Sequence, residues 1–436
     1  MYPKLEEESA MNRIVIKINE LGPVKNQWIE LAPVMLFTGE SSLGKSYVNF
    51  LSYYVFNVFS SERLDKFIAD HFPPKLPEIK DFKFSMPISE LAEWMKDDVS
   101  AFFVYLYHYD QFKCDVEFEF PESITAMEFE FRNRTLGKTE NESYHYDAIL
   151  NDKVVETVSM DRNLERSVSR SFKHLVCEQL LGLYVSKTIL LPPGRASLLS
   201  SDFTVQRGAS RLGVYDMFLR DNDWINARRL WNIKGDGVNN SLVSQIQELI
   251  KGSLMTEKDR LFLVTKDGGT PIPLDAAASS IRELTPLLQW MLGGSIADQS
   301  VCLEEPEAHL HPEMQMSIAN LLTSCIQAGA YMQITTHSDY FMQRINQLIK
   351  YGIIREKNEK AYEALCKNTG HRPERYLDRK LLKTYFFSSE GGSTVITPLE
   401  IDENGIPLST FFHAVEELTA EDDILNEELE KVEYHA

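Results

Sequence analysis

A glycine-flanked lysine in the segment LFTGESSLGKSYVNF, Leu36–Phe50, constrains the fold of this chain more than any other feature. The spacing of Gly39, Gly44, Lys45 and Ser46 matches the phosphate-binding loop, GxxxxGK[ST]. An apolar run before the loop predicts a strand, and the apolar residues after it predict a helix. The alternative is a glycine-serine turn that fits the pattern by chance. Strand, loop and helix together favour a nucleotide-binding α/β fold.

The chemistry of phosphate binding explains why these residue types stand in this order. Glycines let the backbone amides curl around a phosphate, and the helix N-terminus adds positive potential. Lys45 would reach the β- and γ-phosphates of ATP, and Ser46 would ligate Mg²⁺. The predicted nucleotide-binding residues of the loop are Gly39, Ser41, Ser42, Gly44, Lys45 and Ser46.

A second informative segment, SVCLEEPEAHLHPEMQ, places two acids at the end of a short apolar run, Val301–Leu303. A buried strand that ends in adjacent carboxylates is costly unless a cation or water compensates them. Beside a phosphate loop, we predict that Glu304 holds the metal and that Glu305 acts as the catalytic base or orients the attacking water. The alternative is a strand that leaves the core into a polar loop.

A third segment, YMQITTHSDYFMQRI, places His337 just after a predicted strand, Met332–Thr335. With the predicted helix Pro312–Ala328, the order is strand, helix, strand, helix. Such a parallel unit gathers its strand ends at one ligand-binding edge. We therefore predict that His337 donates a hydrogen bond to the γ-phosphate and takes part in catalysis. Alternatively, it is an ordinary residue at a helix entry, with Ser338 as the N-cap.

Composition supports a sizeable hydrophobic core, enough for one large or two medium domains, and disfavours several classes of protein. The chain has 436 residues, of which 43% are hydrophobic, and no apolar run approaches the roughly 20 residues that a membrane span needs. The first residues are too acidic and polar for a signal peptide. The five cysteines lack metal-ligand spacing and indicate reduced thiols, with Cys302 as a core residue. We therefore expect a cytoplasmic protein with no membrane partner.

Charge is unevenly distributed along the chain, whose formal net charge is −20. From Glu400 to Ala436 there are 12 acidic residues and one lysine. The segment Phe341–Thr384, called the basic segment below, has 11 basic and 5 acidic residues. A nucleic-acid footprint over the whole protein is thereby disfavoured, while a local one at the basic segment stays open. The alternative for that segment is a solvated helical face.

These motifs resemble those of the ABC-type ATPases of the SMC/RecF branch. More narrowly, Gly39–Ser46, Glu304–Pro312 and Ile334–Asp339 are similar to motifs in the ATPase domains of overcoming-lysogenisation-defect (OLD) family phage-defence proteins, of the AAA_15/AAA_21-like type. LGPVKNQWIEL before the loop and LLPPGRASLL at Leu190–Leu199 are similar to family elements as well. The ATPase of PARIS-type two-component systems is one candidate within this group.

The resemblance implies that two heads sandwich two ATP molecules and that each head completes the site of the other. The signature region would be DAAASSIRELTPLLQW, Asp275–Trp290, with Ser279 and Ser280 binding the γ-phosphate held by the partner. The glycine usual in this turn is missing, which implies slow or partner-gated hydrolysis. The alternative is a capped amphipathic helix.

Other positions take weaker roles from the same resemblance. The run Glu307–His311 would touch the opposite head, and Gln111 is the one candidate for a metal-sensing glutamine. His309 and His311 have no third ligand nearby, which disfavours zinc. Arg195 would face a phosphate or close a turn, and we favour the turn.

The predicted fold class is α/β: an ABC-type P-loop NTPase head with a mostly parallel core sheet, an antiparallel β lobe and a short helical insertion. The predicted divisions are 1–202 for the first part of the head and 203–258 for an insertion that serves as a dimerisation arm. Residues 259–418 would form the second part of the head, and 419–436 an acidic tail. The one Asp-x-Asp pair, Asp221 and Asp223, lies in the insertion, so we expect no Toprim nuclease within this chain.

The function predicted from these features is a nucleotide-gated ATPase, with ATP and Mg²⁺ as cofactors, in prokaryotic anti-phage defence. It would dimerise with itself or form a larger oligomer, respond to a phage protein and control a separate effector, with a Toprim nuclease as one candidate. The alternative is a RecF/SMC-like repair ATPase that binds DNA in the presence of ATP.

Overall fold

A nine-stranded sheet forms the centre of the structure, a computed structural model that describes residues 12–71, 81–133, 144–150, 153–160, 164–200, 212–231, 237–257, 260–407 and 419–426. Across the sheet the strands follow the order β5 (Cys114–Glu119), β1 (Val15–Leu21), β2 (Val24–Glu30), β16 (Ser393–Leu399), β15 (Leu382–Glu390), β3 (Val34–Gly39), β14 (Tyr331–Thr335), β13 (Gln299–Glu304) and β9 (Lys187–Leu191).

The part of the sheet that carries the motifs is parallel. β15, β3, β14, β13 and β9 pair in parallel, whereas β1 pairs with β2 and β5, and β15 with β16, in antiparallel register. Parallel strands end at the same edge of a sheet. The phosphate-binding loop after β3, the acids after β13 and His337 after β14 therefore meet at one edge.

Helices cover both faces of this sheet and enclose two hydrophobic cores. On β3, Met35 and Phe37 belong to one core and Val34 and Leu36 to the other, as the alternation of side chains along a strand requires. The first core contains residues of α1 (Lys45–Ser60), α2 (Arg63–His71), α3 (Ile88–Tyr107) and α4 (Leu164–Leu181). The second core contains residues of α6 (Gly213–Trp231), α7 (Asn240–Leu249), α8 (Ser279–Leu292), α9 (Pro312–Gln327) and α10 (Asp339–Lys357). The short α5 (Arg195–Ser200) lies beside α8, and α11 (Glu359–Thr369) lies beside α10.

Two small antiparallel sheets flank the main body. One consists of β4 (Phe82–Pro87), β6 (Ala126–Asn133), β7 (Tyr144–Leu150) and β8 (Lys153–Met160). The other consists of β10 (Gly252–Glu257), β11 (Arg260–Thr265) and β12 (Ile272–Pro273). The turn between β11 and β12 contains Gly268 with a positive φ of 70°, where the Asp-Gly-Gly sequence predicts a hairpin.

The structure confirms the predicted fold class: α/β with a mostly parallel core sheet, an antiparallel β lobe and helices in the 203–258 segment. Cys302 lies fully buried in β13, and the five cysteines are free thiols. No helix in the described ranges is long and apolar enough to cross a membrane.

The helices predicted as an insertion pack against the head. Phe218 and Ile225 of α6 and Leu242 and Ile246 of α7 are buried in the second core. The end of the predicted helical segment is instead the strand β10, because Gly252–Glu257 pairs with β11. Residues 201–211 and 232–236 lie outside the described residues. The dimerisation role of this segment stays a prediction.

Candidate nucleotide-binding site

The phosphate-binding loop joins β3 to α1 through backbone conformations that favour glycine. Gly39 has a φ of 113°, and a Cβ there would collide with the main-chain oxygen of Phe387 on the neighbouring strand. Gly44 has a φ of 92° and stands at the N-cap of α1. Ser41 and Ser42 are exposed on the loop, and Ser42 has a positive φ of 64°. The strand, loop and helix context predicted for the motif is present.

Lys45 lies buried beneath the loop, where the loop's own carbonyl groups satisfy it. Its Nζ donates to the main-chain oxygen of Gly39 at 3.0 Å and to that of Glu40. Burial lowers the pKa of Lys45 to about 8, while the carboxylates of Glu305, Glu304 and Glu40 oppose this lowering. The ammonium group therefore lies among three acids and is available to exchange two carbonyl partners for a phosphate.

Glu304 ends β13 as a buried carboxylate beside the start of α1. Only 2% of the residue is exposed. Its carboxylate accepts hydrogen bonds from Ser46 and from Asn49, the latter at 3.5 Å. Burial raises the pKa of Glu304 to about 7, although both hydrogen bonds favour the charged form. Ser46 and Glu304, the two predicted metal ligands, are therefore adjacent.

Glu305 turns away from the strand through a backbone conformation that is unusual for glutamate. Its φ is 46°, in the left-handed region. Its backbone N–H donates to the main-chain oxygen of Thr335 at 3.1 Å. The charge of Glu305 raises the pKa of Lys45 more than that of any other acid does, against the lowering caused by burial. Adjacent strand residues normally face opposite sides of a sheet, but here both acids influence the same lysine.

Glu307 joins the acidic loop to the segment that carries His337. Its buried carboxylate accepts hydrogen bonds from the hydroxyl of Thr336 at 2.8 Å and from the backbone N–H of His337 at 2.7 Å. Burial and the charge of Lys45 lower the pKa of His337, whereas Glu305 raises it. His337 is exposed and within electrostatic range of the loop lysine and the predicted base. The structure thus brings Lys45, Glu304, Glu305 and His337 together.

The run Glu307–His311, predicted to touch an opposite head, contains both buried and exposed side chains. Glu307 is 8% exposed and contacts its own chain, so it does not present a carboxylate to a partner. His309 and His311 are exposed, and His311 is the N-cap of α9. Gln111 is exposed and accepts a hydrogen bond from the Tyr109 hydroxyl at 3.3 Å, which gives no support to a metal-sensing role.

Ser279 and Ser280 form the first positions of α8, with Ala278 at the N-cap. The segment is a helix with a buried apolar face, as the amphipathic-helix alternative expected, but no side chain caps it. Ser279 is exposed and Ser280 is half-buried. Uncapped amide groups in a first helical turn attract anions. The role of these serines opposite a second chain stays a prediction.

Sequence reasoning assigned no role to two residues that the structure places around the acids, Asn49 and Glu283, and only a local turn role to a third, Arg195. Asn49 follows Lys45 by four residues on α1, so helical periodicity alone indicates that both face the same side. Arg195 does bond the carbonyl group of Pro192 in its own turn, as the turn interpretation expected. It also contacts Glu283 of α8 and the end of β13, 88 and 109 residues away, which no local pattern reveals.

The site suits a magnesium nucleotide by its shape and its donor atoms. A side chain at Gly39 or Gly44 would meet neighbouring groups, as in a backbone cradle. The hydroxyl of Ser46 and the buried carboxylate of Glu304 are the hard oxygen ligands that Mg²⁺ prefers. No three histidine, cysteine or acidic side chains converge as a metal cage in the described ranges. A protein-bound Mg²⁺ usually takes one or two protein ligands and completes its shell with substrate phosphates and water.

Comparison with known proteins gives a partial family match. A model described as "AAA domain, putative AbiEii toxin, Type IV TA system" matches residues 144–343, fewer than half of the chain. The match begins after the phosphate-binding loop and includes Arg195, the acidic pair and His337. No curated protein matches.

The similar solved structures include SMC heads. The SMC head bound to the C-terminal winged-helix domain of ScpA has 12% identity and a TM-score of 0.39, covering 90% of this chain and 98% of that one. The SMC head domain from Thermotoga maritima has 11% identity and a TM-score of 0.35, covering 90% and 99%. The Pyrococcus furiosus SMC head bound to the C-terminal domain of ScpA has 11% identity and a TM-score of 0.37, covering 94% and 99%.

Replacing the buried acid in Glu304→Gln is expected to stabilise the nucleotide-free protein at pH 8. The pKa of Glu304 is raised from 4.5 to about 7. The folded state therefore loses stability as the pH rises from the lower to the higher of these values, and the full loss remains at higher pH. The neutral amide avoids a loss of at most about 3 kcal/mol. Thermal unfolding at pH 5 and pH 8 without Mg²⁺ measures this difference. An equal effect of the variant at both pH values contradicts the assignment of a buried, costly carboxylate.

Proposed function

We propose that this chain is an ATPase that binds ATP and Mg²⁺ at one edge of its sheet and uses them as a nucleotide-gated switch. The observation that carries the proposal is the convergence of Lys45 and Ser46 with Glu304 and Glu305 from two distant segments of the chain. A single motif can arise by chance. Phosphoryl transfer needs the phosphate-binding and acidic residues together, and here they lie at the same edge of the sheet.

Each residue takes a role from its position. The loop amides and Lys45 bind the phosphates, and Ser46 with Glu304 would hold Mg²⁺. The ion would neutralise charge on the phosphate oxygens. Glu305 orients a water molecule and accepts its proton as the water oxygen bonds to the γ-phosphorus. The bond to the bridging oxygen then breaks, ADP leaves with the electron pair, and His337 donates a hydrogen bond to the γ-phosphate.

A second copy of the chain would complete this site. Ser279 and Ser280, at the uncapped start of α8, would approach the γ-phosphate held by the other copy. The serines supply hydroxyl groups in a segment that lacks the usual glycine. Turnover is therefore slow or gated by a partner, as suits a switch.

The biological setting that we propose is prokaryotic anti-phage defence in the cytoplasm. The motif resemblance to OLD-family ATPases and the toxin named in the matched family's description both support it. In this setting the chain senses a phage protein and holds or releases a separate effector, with a Toprim nuclease as the first candidate. A PARIS-type pair of ATPase and effector is one form of such a system.

Native mass measured on protein purified from its own host, in ATP and then in ADP, tests this setting. A large assembly that contains a second polypeptide supports a scaffold that holds an effector. A lone chain that dimerises only in ATP supports the DNA-loading alternative instead.

The DNA-binding alternative rests on the basic segment. Ion pairs within the protein argue against this alternative. Seven of its 11 cations lie within 4 Å of a carboxylate: Arg355, Lys357, Arg372, Arg375, Arg379, Lys380 and Lys383. Arg344 donates to Asn320 and Gln347. Lys350, Lys360 and Lys367 are exposed, with no carboxylate of a described residue within 4 Å. Most of the segment's charge is thus balanced within the protein.

Binding of duplex DNA is therefore expected to be weak and only moderately dependent on salt. Four cations of the segment lack a carboxylate of a described residue, and they would give a slope of log K against log salt of roughly −4 at most. Fluorescence anisotropy between low and high salt, with ATP present, measures this slope. A slope steeper than that limit would revive the DNA-binding function, since it requires phosphate contacts from cations beyond these.

A further inference from the structure

Arg195 is a fully buried cation that ties together three segments of the chain. Its Nε donates to the main-chain oxygen of Glu283 at 2.8 Å, and its Nη1 donates to those of Pro192 and Glu304, each at 3.0 Å. A carboxylate oxygen of Glu283 lies 3.6 Å from Nε. The residue is 0% exposed, so these bonds replace water that it cannot reach.

Glu283 is buried as well, and only 1% of it is exposed. Its carboxylate accepts hydrogen bonds from the backbone N–H of Arg195 at 3.2 Å and of Ala196 at 2.9 Å. The ion pair is therefore held by main-chain groups at both ends, which fixes its geometry more firmly than two side chains alone. Movement of either partner must move the other.

The peptide between the two acids is held on both of its polar groups. The carbonyl group of Glu304 accepts a hydrogen bond from Arg195. The N–H of Glu305 donates to the main-chain oxygen of Thr335 at 3.1 Å. This peptide leads into the positive φ of Glu305, a conformation that costs energy for a residue other than glycine and persists only where neighbours impose it. Arg195 and Thr335 are the residues that hydrogen-bond this peptide from either side.

The same arginine connects this peptide to α8. Glu283 lies one turn after Ser279, where the helix begins. A helix moves as a rigid element, so a shift of its first turn displaces Glu283 and, through Arg195, the carbonyl group of Glu304.

We propose that Arg195 is a positioning residue for ATP hydrolysis, holding the Glu304–Glu305 peptide in its active conformation and linking it through Glu283 to α8. Engagement of the start of α8 by nucleotide on a second copy then reaches the catalytic base along this link. The inference rests on the proposed ATPase function.

The test compares the full-length single variants Arg195→Met and Glu283→Met with the double variant that carries both changes. Each single change leaves one buried charge without its partner and is expected to lower the melting temperature. The double variant is expected to recover most of that temperature and to bind ATP within about threefold of the parent. Its turnover is expected to remain roughly 10- to 100-fold low, because the peptide is no longer held.

Two further variants separate positioning from stability. Arg195→Lys keeps the positive charge but not the fork that bonds three carbonyl groups, so we expect a smaller loss of stability than in Arg195→Met, with turnover as low. Lys187→Met breaks the ion pair to Asp221 at the far end of β9, and we expect lower stability with unchanged turnover per bound ATP.

Two results overturn the inference: a double variant that regains turnover together with stability, or parental turnover by Arg195→Lys. Absence of ATP hydrolysis by the parent protein with its copurifying partners refutes the proposed function itself, and that result is visible before any variant is compared.

Discussion

Replacing Lys45 by alanine is expected to abolish ATP binding. Lys45 is the buried cation at the base of the phosphate-binding loop. Among the described residues, its ammonium group donates hydrogen bonds only to carbonyl groups of the loop. Loss of a buried charge that pairs with phosphate typically costs about 2–5 kcal/mol, which raises the dissociation constant roughly 30- to 5,000-fold. Titration calorimetry with ATP and Mg²⁺ measures the effect.

The matched control for this variant is Lys367→Ala, an exposed lysine on α11. It removes the same charge and side chain far along the sequence and is expected to bind ATP as the parent does. Parental affinity in Lys45→Ala contradicts the assignment of the loop as the nucleotide site.

Replacing the proposed base in Glu305→Gln is expected to stop turnover while preserving ATP binding. The amide keeps the size and the backbone turn of Glu305 but cannot accept the proton of water. Loss of a general base typically lowers the rate roughly 100- to 10,000-fold. Phosphate release, measured beside equilibrium binding, separates the two effects. The variant is expected to accumulate the ATP-bound dimer.

Glu313→Gln serves as the control, because Glu313 is an exposed acid in the first turn of α9, eight residues further on. Its turnover is expected to equal that of the parent. If Glu305→Gln hydrolyses ATP at the parental rate, another group accepts the proton and the catalytic assignment is wrong.

Local motifs predicted the parts of the site that depend on neighbouring residues. The loop glycines, Lys45 and Ser46 form one continuous segment, and the abrupt change from Val301–Leu303 to two acids marks a strand end. The order of strands and helices then indicated that His337 would lie near them. The structure confirms this convergence because parallel strands end at the same edge.

Contacts between distant segments set the rest of the site, and these have no local signature. Asn49 and Glu304 are 255 residues apart, and Arg195 and Glu304 are 109 apart. A single sequence does not distinguish a buried arginine from an exposed one, because the residues that pair with a buried arginine are distant in sequence and come near it only in the folded chain. The same limit affected Glu307, predicted to face a partner but bonded to Thr336 of its own chain.

Strand partners were also beyond the reach of the sequence pattern. The alternating segments DVEFEF and MEFEFR both predict half-exposed antiparallel strands, and both are strands. Nevertheless β5 pairs with β1 at the edge of the main sheet, while β6 pairs with β4 and β7 in the lobe. Alternation identifies a buried face but carries no information about the neighbouring strand.

Titration of the parent protein with ATP, in Mg²⁺ and again in EDTA, measures whether the chain is a magnesium-dependent nucleotide-binding protein. We expect saturable binding of one ATP per chain that weakens markedly without Mg²⁺, because Ser46 and Glu304 lose the ion that joins them to the phosphates. Absence of saturable binding at millimolar ATP, with or without Mg²⁺, would contradict the proposed function.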